Sequence, residues 1–239
     1  MKLTELAAAA GLDCPAQAEI TALTCRSTEV TPGALFAALR GARADGRDYI
    51  PEAVARGAAA VLCAGAAEAP VPVLSAPEPR EALARMAAAF YGRPGDAMTL
   101  IAVTGTKGKT TTAHMLRDIL LADGCTVGMI GTLGAFLGRE RLAPAANTTP
   151  EPVALHTLLR RLADAGATHV VMEASSQAMK LRRLAGLTFE IALFLNLSPD
   201  HIGPGEHADL AEYRACKAAL FRQCRLALGN AADPAWPLM

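Results

Sequence analysis

The stretch "LIAVTGTKGKTTTAHML", residues 100–116, sets the architecture of the chain. Leu100 to Val103 form an apolar run bounded by glycine, which predicts a short buried strand. Lys109 to Ala122 predict a helix, with the apolar residues Met115, Leu116, Ile119 and Leu120 at helical spacing. Between them lie Gly105 and Gly108, which let the backbone approach a ligand closely. A helix N-terminus offers free N–H groups and a partial positive charge, so the turn is suited to phosphate. Lys109 is placed to reach the outer phosphates, and Thr110 to set its hydroxyl on a magnesium ion. The spacing is G-x-x-G-K-T, with Val103 where the general phosphate-loop pattern has its first glycine. A ligand-free glycine turn is the bland alternative. The lysine and threonine that follow the second glycine argue against it.

The 239 residues suit one large domain or two modest ones. With 52% hydrophobic and 19% charged residues, the chain reads as globular. A formal net charge of zero gives no basic nucleic-acid surface, and 4% aromatic residues give no base-stacking platform. Six cysteines, at 14, 25, 63, 125, 216 and 224, form no C-x-x-C pair. They read as reduced, mostly buried thiols of a cytoplasmic protein. Glu5 interrupts the apolar start "MKLTELAAAAGLDC", which predicts a short amphipathic helix rather than a leader. No apolar run approaches the ~20 residues that span a bilayer, so no membrane partner is expected.

Strand and helix patterns alternate along the chain. Strands are expected at 33–39, 58–65, 126–132, 168–175, 189–197 and 225–230. Helices are expected at 49–57, 79–92, 151–166 and 209–221, and a loop or hairpin at 134–150. The segment "GRPGD", 92–96, is the best linker and divides the chain into domains 1–93 and 94–239. The fold class is α/β, with a mostly parallel sheet and helices on both faces in the second domain. Ligands of such sheets sit beyond the carboxyl ends of the strands. Polar groups gather there: the loop Gly105 to Thr110, then Glu173 to Ser176, then Asn196 to His201. Glu173 is placed to complete a magnesium site with Thr110. Singly, Glu173, His201 and Lys217 read as surface charges; behind a phosphate loop, after successive strands, they read as a site.

The blocks "VTGTKGKTTT", "MEASSQAM", "LFLNLSPDH" and "EYRACKAALF" resemble the signature blocks of the Mur ligases, ATP-dependent amide-forming enzymes of peptidoglycan assembly. The N-terminal "CRSTEVTPGALFAALRGARADGRDYIPEAVARGAAAVL" and the "NTTPEP" block are similar to the MurE type, which acts on UDP-N-acetylmuramoyl-dipeptide. The resemblance implies a UDP-binding N-terminal domain and a P-loop-type central domain. It implies that Thr104, Gly105, Thr106, Lys107, Gly108, Lys109, Thr110 and Thr111 bind ATP. It places a first Mg²⁺ on Thr110 and Glu173 and a second on Glu173, His201 and a carbamylated Lys217. Lys109, Glu173, His201 and Lys217 are then the catalytic set. Ser27, Asn147, Thr148, Thr149, Ser175 and Arg183 match positions that hold the UDP-sugar-peptide, and an amino acid is the other substrate.

Lys107, Gln177 and the stretch "DHIGPGEHADLAEY" depart from the family pattern. The family's C-terminal domain and the end of its central domain have no counterpart here. A chain that binds substrate without ligating alone, or a second chain that supplies the missing half, is therefore expected. Exposed apolar surface is expected where further strands would pair. Another Mur-fold ligase, a non-catalytic nucleotide-sugar-binding module and a plain phosphate-loop NTPase are the alternatives.

Overall fold

A computed structural model describes residues 1–14, 16–41 and 44–239. Ala42 and Arg43, within the N-terminal stretch quoted above, lie outside the described residues. The chain divides into two compact units, Met1–Gly92 and Arg93–Met239.

In the first unit the described residues form a four-stranded parallel sheet in the order β1 (Ala22–Thr24), β2 (Ala34–Ala38), β3 (Ala60–Cys63), β4 (Val73–Ser75). The strands β2 and β3 are buried at every position, as the continuous apolar runs require of a sheet covered on both faces. One face packs Phe36, Val61 and Cys63 with Ile50 and Ala53 of α2 (Ile50–Ala55). Helix α3 (Pro79–Phe90) lies on β2 and β3 and packs against α1 (Leu3–Ala9). Pro79 opens α3, where its missing N–H costs nothing.

The second unit holds a seven-stranded sheet in the order β11-β10-β5-β9-β6-β7-β8. Strands β5 (Thr99–Thr104), β6 (Val127–Gly131), β9 (His169–Glu173), β10 (Phe189–Phe194) and β11 (Cys224–Gly229) are parallel. The 134–150 segment forms an antiparallel hairpin, β7 (Gly134–Leu137) with β8 (Glu140–Ala143). One face of the sheet carries α5 (Pro152–Asp164), whose Leu155, Leu159 and Leu162 are fully buried against Leu100, Val170 and Met172. Each such leucine contributes about 1.5–3 kcal/mol by leaving water. The other face carries α4 (Lys109–Ala122) over Ile101, Val103, Val171 and Met129.

The order of connection switches between β5 and β10: the crossover after β5 leads through α4 to β6 on one side, and the crossover after β10 leads through α7 (Leu210–Ala218) to β11 on the other. Ligands of open α/β sheets sit outside the carboxyl ends of the strands at such a switch point.

On α4, Leu116 and Leu120 pack against the sheet core and Ala113 and Arg117 are buried, while Met115 and Ile119 are 62% and 64% exposed. Arg117 is tolerated because its guanidinium pairs with Asp118 and lies 5.9 Å from the Phe136 ring centroid. One expectation changes: the cysteines are not mostly buried, for only Cys63 is buried and Cys25 is exposed. Short elements at 22–24, 73–75 and 176–180 were not anticipated. Strand β11 lies at the sheet edge and exposes Leu226 and Leu228, an unpartnered apolar edge of the kind expected. No helix of the described residues is long and apolar enough to cross a membrane.

Candidate active site

The turn after β5 is shaped by its two glycines. Gly105 has φ +154° and its Cα faces Leu195, where an added Cβ would stand 3.0 Å from the Leu195 Cβ. Gly108 has φ +85° and caps the N-terminus of α4. The chain after β10 clamps the turn from outside. The Thr106 N–H donates to the Asn196 carbonyl (2.9 Å) and the Lys107 N–H to Asn196 Oδ1 (3.0 Å). Asn196 Nδ2 donates back to the Lys107 carbonyl. Thr106 Oγ1 donates to the Ser198 carbonyl and accepts from the Ser198 N–H and the Tyr213 hydroxyl. Thr104 is fully buried beneath the turn, and its hydroxyl has no hydrogen-bond partner among the described residues.

Two lysines converge on one carbonyl. Lys109 Nζ donates to the Gly105 and Thr106 carbonyls at 2.9 and 3.0 Å. Lys217 Nζ, on α7, donates to the same Gly105 oxygen at 2.8 Å and lies 4.4 Å from the Tyr213 ring centroid. Lys217 is 1% exposed. Burial, then the nearby Lys109 charge, push its pKa down to about 7. Burial lowers the Lys109 pKa as well. This end of the turn is rich in positive charge and hydrogen-bond donors.

The acid lies on the neighbouring strand. Glu173, at the end of β9, is 1% exposed. Its Oε2 accepts from the Thr110 hydroxyl (2.9 Å) and the Thr132 hydroxyl (3.1 Å), and its Oε1 from the Thr132 N–H (2.8 Å). Gly131 makes room for the carboxylate, since a Cβ there would overlap it. Every donor to Glu173 is neutral, and among the described residues no basic side chain forms an ion pair with it. A buried carboxylate held this way fits a divalent cation, with Thr110 as a second oxygen. No group of three or more His, Cys, Asp or Glu residues among those described could hold a metal.

A cavity of about 320 Å³ opens beside these groups, lined by Lys109, Asn147, Thr148, Ser175, Arg183 and His201 among others. Thr148 faces Thr132 across a 3.0 Å hydrogen bond. The Thr149 hydroxyl is fully buried; it donates to the Glu173 carbonyl and contacts Ser175, so it ties the cavity wall to the end of β9. Arg183 donates to the Thr149 carbonyl and pairs with Glu151 at 2.6 Å. Ser175 caps the short helix α6 (Ser176–Lys180). His201 takes φ +54°, and its Nδ1 meets Glu206 Oε1 at 3.1 Å, which leaves Nε2 as the other ring nitrogen. Lys107 and Thr111 present exposed side chains at the mouth of the turn.

Ser27 belongs to the first unit. It is buried, it lowers the Glu52 pKa by hydrogen bonding, and it lines a cavity of about 540 Å³ with Arg26, Phe36, Gly46 and Tyr49.

The residues not foreseen are Thr132 and Tyr213, and Asn196 reads in the sequence only as one of the polar residues after a strand. For Tyr213 a signal existed: it stands four residues before Lys217, so both fall on one helix face. Thr132 and Asn196 follow strands, but nothing local distinguishes them from ordinary turn residues.

The family model described as the Mur ligase middle domain matches residues 103–238, and the model of the Mur ligase family catalytic domain matches residues 19–91. The chain is 45% identical over 225 residues to a UDP-N-acetylmuramoyl-L-alanyl-D-glutamate–2,6-diaminopimelate ligase of Chlorobaculum tepidum, an alignment covering 92% of this chain and 44% of that protein. A solved ligase of the same description superposes with a TM-score of 0.83 at 27% identity, over 100% of this chain and 49% of the other. A MurF ligase of Thermotoga maritima, solved with ADP, shares the fold with a TM-score of 0.60 at 23% identity, over 90% of this chain and 47% of that one. The chain thus spans about half the length of the proteins it matches. With both of its units matched by the models of one family, the chain belongs to the Mur ligases.

Proposed function

We propose that this chain carries the nucleotide-sugar-binding and ATP-binding parts of a MurE-type ligase, which joins an amino acid to UDP-N-acetylmuramoyl-dipeptide. Domain 1–93 binds the UDP moiety around Ser27, and domain 94–239 binds ATP. The observation that carries the reading is the pairing of Lys109 and Lys217 on the Gly105 carbonyl beside the buried Glu173–Thr110 pair. The turn N–H groups, the α4 N-terminus and Lys109 favour phosphates. Thr110 and Glu173 would hold one Mg²⁺, and Glu173, His201 and Lys217 a second. Bound Mg²⁺ supplies positive charge to crowded phosphate oxygens.

In the reaction the peptide carboxylate attacks the γ-phosphorus of ATP, forming an acyl phosphate and releasing ADP. The amino group of the incoming residue then displaces phosphate. The residues of this chain orient the reacting groups and offset their charge. Among the described residues Lys217 pairs with no carboxylate. Its lowered pKa leaves it partly as a free amine near neutrality, the form that carbon dioxide converts to a carbamate. Asn147, Thr148, Ser175 and Arg183 line the wall offered to the sugar-peptide. The MurF relative's ADP supports ATP as the nucleotide. A cytoplasmic location fits six cysteines without a disulfide among them.

Edge strand β11, with Leu226 and Leu228 exposed, favours completion of the sheet by further protein, in the same chain or a second one. Calorimetric titration with ATP and with UDP-N-acetylmuramoyl-dipeptide tests the reading. Binding of both, without ligation by the 239-residue chain alone, is expected. Binding of neither would overturn it.

A further inference from the structure

The structure gives the segment after His201 a definite construction. His201 sits in left-handed backbone geometry, which costs a non-glycine residue about 1–3 kcal/mol unless its surroundings hold it. What holds it is a closed loop. The His207 N–H donates to the His201 carbonyl (3.0 Å), the Gly203 N–H to the His207 carbonyl (3.0 Å), and the Glu206 N–H to the Gly203 carbonyl (3.0 Å). Most side chains of this loop are exposed, but His207 is 1% exposed.

The His207 ring is the loop's anchor. Its Nε2 hydrogen-bonds Ser176 Oγ at 2.9 Å, at the start of α6, and its plane packs 5.1 Å from the Tyr213 ring centroid. Tyr213 in turn reaches Thr106 of the phosphate turn through its hydroxyl and supports Lys217 on its ring face. From the groups facing it, Glu212 Oε2 stands 3.9 Å from the His207 Nδ1. Lys180 pairs with Glu212 and donates to the Glu206 carbonyl. One buried imidazole thus joins the His201 loop to α6 and to the Tyr213 ring. Glu206, on the same loop, engages His201 Nδ1. A carboxylate on one ring nitrogen is the usual device for aiming the other at a metal.

We propose that His207 is a positioning residue: it anchors the 201–207 loop so that Glu206 aims His201 Nε2 at the second divalent cation. The inference rests on the ATP-and-metal reading above. His207 lines the same cavity as His201 and Glu206. At 1% exposure it acts by fixing the loop backbone, and Glu206 acts by fixing the ring.

The test is Mn²⁺ binding to the full chain with a non-hydrolysable ATP analogue, followed by electron paramagnetic resonance. Manganese accepts imidazole and oxygen ligands and reports occupancy without turnover. The wild-type chain is expected to bind a tight and a weaker Mn²⁺. His207→Ala should weaken the second ion tenfold or more while leaving the first in place, which also shows that the variant is folded. His207→Gln keeps a polar atom near the Nε2 position and should restore most of the loss. Glu206→Gln should weaken the second ion less than His207→Ala does. Unchanged second-ion affinity in His207→Ala would overturn the inference alone. A first ion lost equally with the second in that variant would also overturn it, showing a general structural role. No Mn²⁺ on the wild-type chain would overturn the metal reading itself, and the inference with it.

Discussion

Glu173 and Lys217 are both 1% exposed, and both sit beside the same glycine turn, yet they are held in opposite ways. Three neutral donors from Thr110 and Thr132 surround Glu173 and fix its direction. Lys217 has one carbonyl and one aromatic face for three N–H donors. The acid is fixed in direction and forms no ion pair with a basic side chain among the described residues, as the proposed cation site requires. The lysine is a cation under strain from burial, made stable by losing its proton or by gaining an anionic group. A buried charge is costly until it is paired, and here the pairing is left to ligands.

The contrast can be broken at the acid first. Glu173→Gln keeps the shape and removes the charge, so it should cost about 100-fold in Mg²⁺-supported binding of an ATP analogue and little without Mg²⁺. Calorimetry with and without the metal reads both values. Lys109→Met removes a charge-assisted donor and should weaken the analogue about ten- to 100-fold whether or not Mg²⁺ is present. The two variants therefore separate metal from phosphate recognition.

A third buried titratable group shows what happens with no ligand role at all. His156, on α5, is fully buried, and neither ring nitrogen has a hydrogen-bond partner among the described residues. Burial lowers its pKa to about 4 from 6.5. The unfolded chain takes up a proton near pH 6.5 that the folded state refuses until about pH 4. Its contribution is complete above pH 6.5 and is lost as pH falls through that window. Between about pH 7.5 and about pH 5 the loss should be about 2 kcal/mol. Urea unfolding should show that loss in the wild type and a flatter dependence in His156→Phe. The smallest effect is expected on the outer face of α4. Met115→Gln should shift stability by less than about 0.5 kcal/mol in the same assay, since the side chain is mostly exposed.

The sequence carried the alternation of strands and helices because its apolar runs and glycine or proline stops are strong. Helix α4 begins and ends where spacing placed it, at Lys109 and Ala122. The strands at 22–24 and 73–75 were not legible because three residues hold no period. Helical spacing alone did not say which apolar residues of α4 face the sheet: Leu116 and Leu120 do, beside the buried Ala113 and the paired Arg117, while Met115 and Ile119 point outward. At the site, the glycine turn, Glu173 and Lys217 were visible as types after strands. The supports were not: Thr132 reaches Glu173 from 41 residues away, and Asn196 reaches Lys107 from 89. Only the folded sheet brings such pairs together. His207 lay within a stretch seen only as unusual, and its burial gave it meaning.

The most direct test of the central claim is calorimetric titration of the full chain with a non-hydrolysable ATP analogue, with and without Mg²⁺. The account predicts binding that tightens when Mg²⁺ is present, with the gain abolished in Glu173→Gln. Binding indifferent to Mg²⁺, or a gain that survives loss of the Glu173 charge, would contradict it.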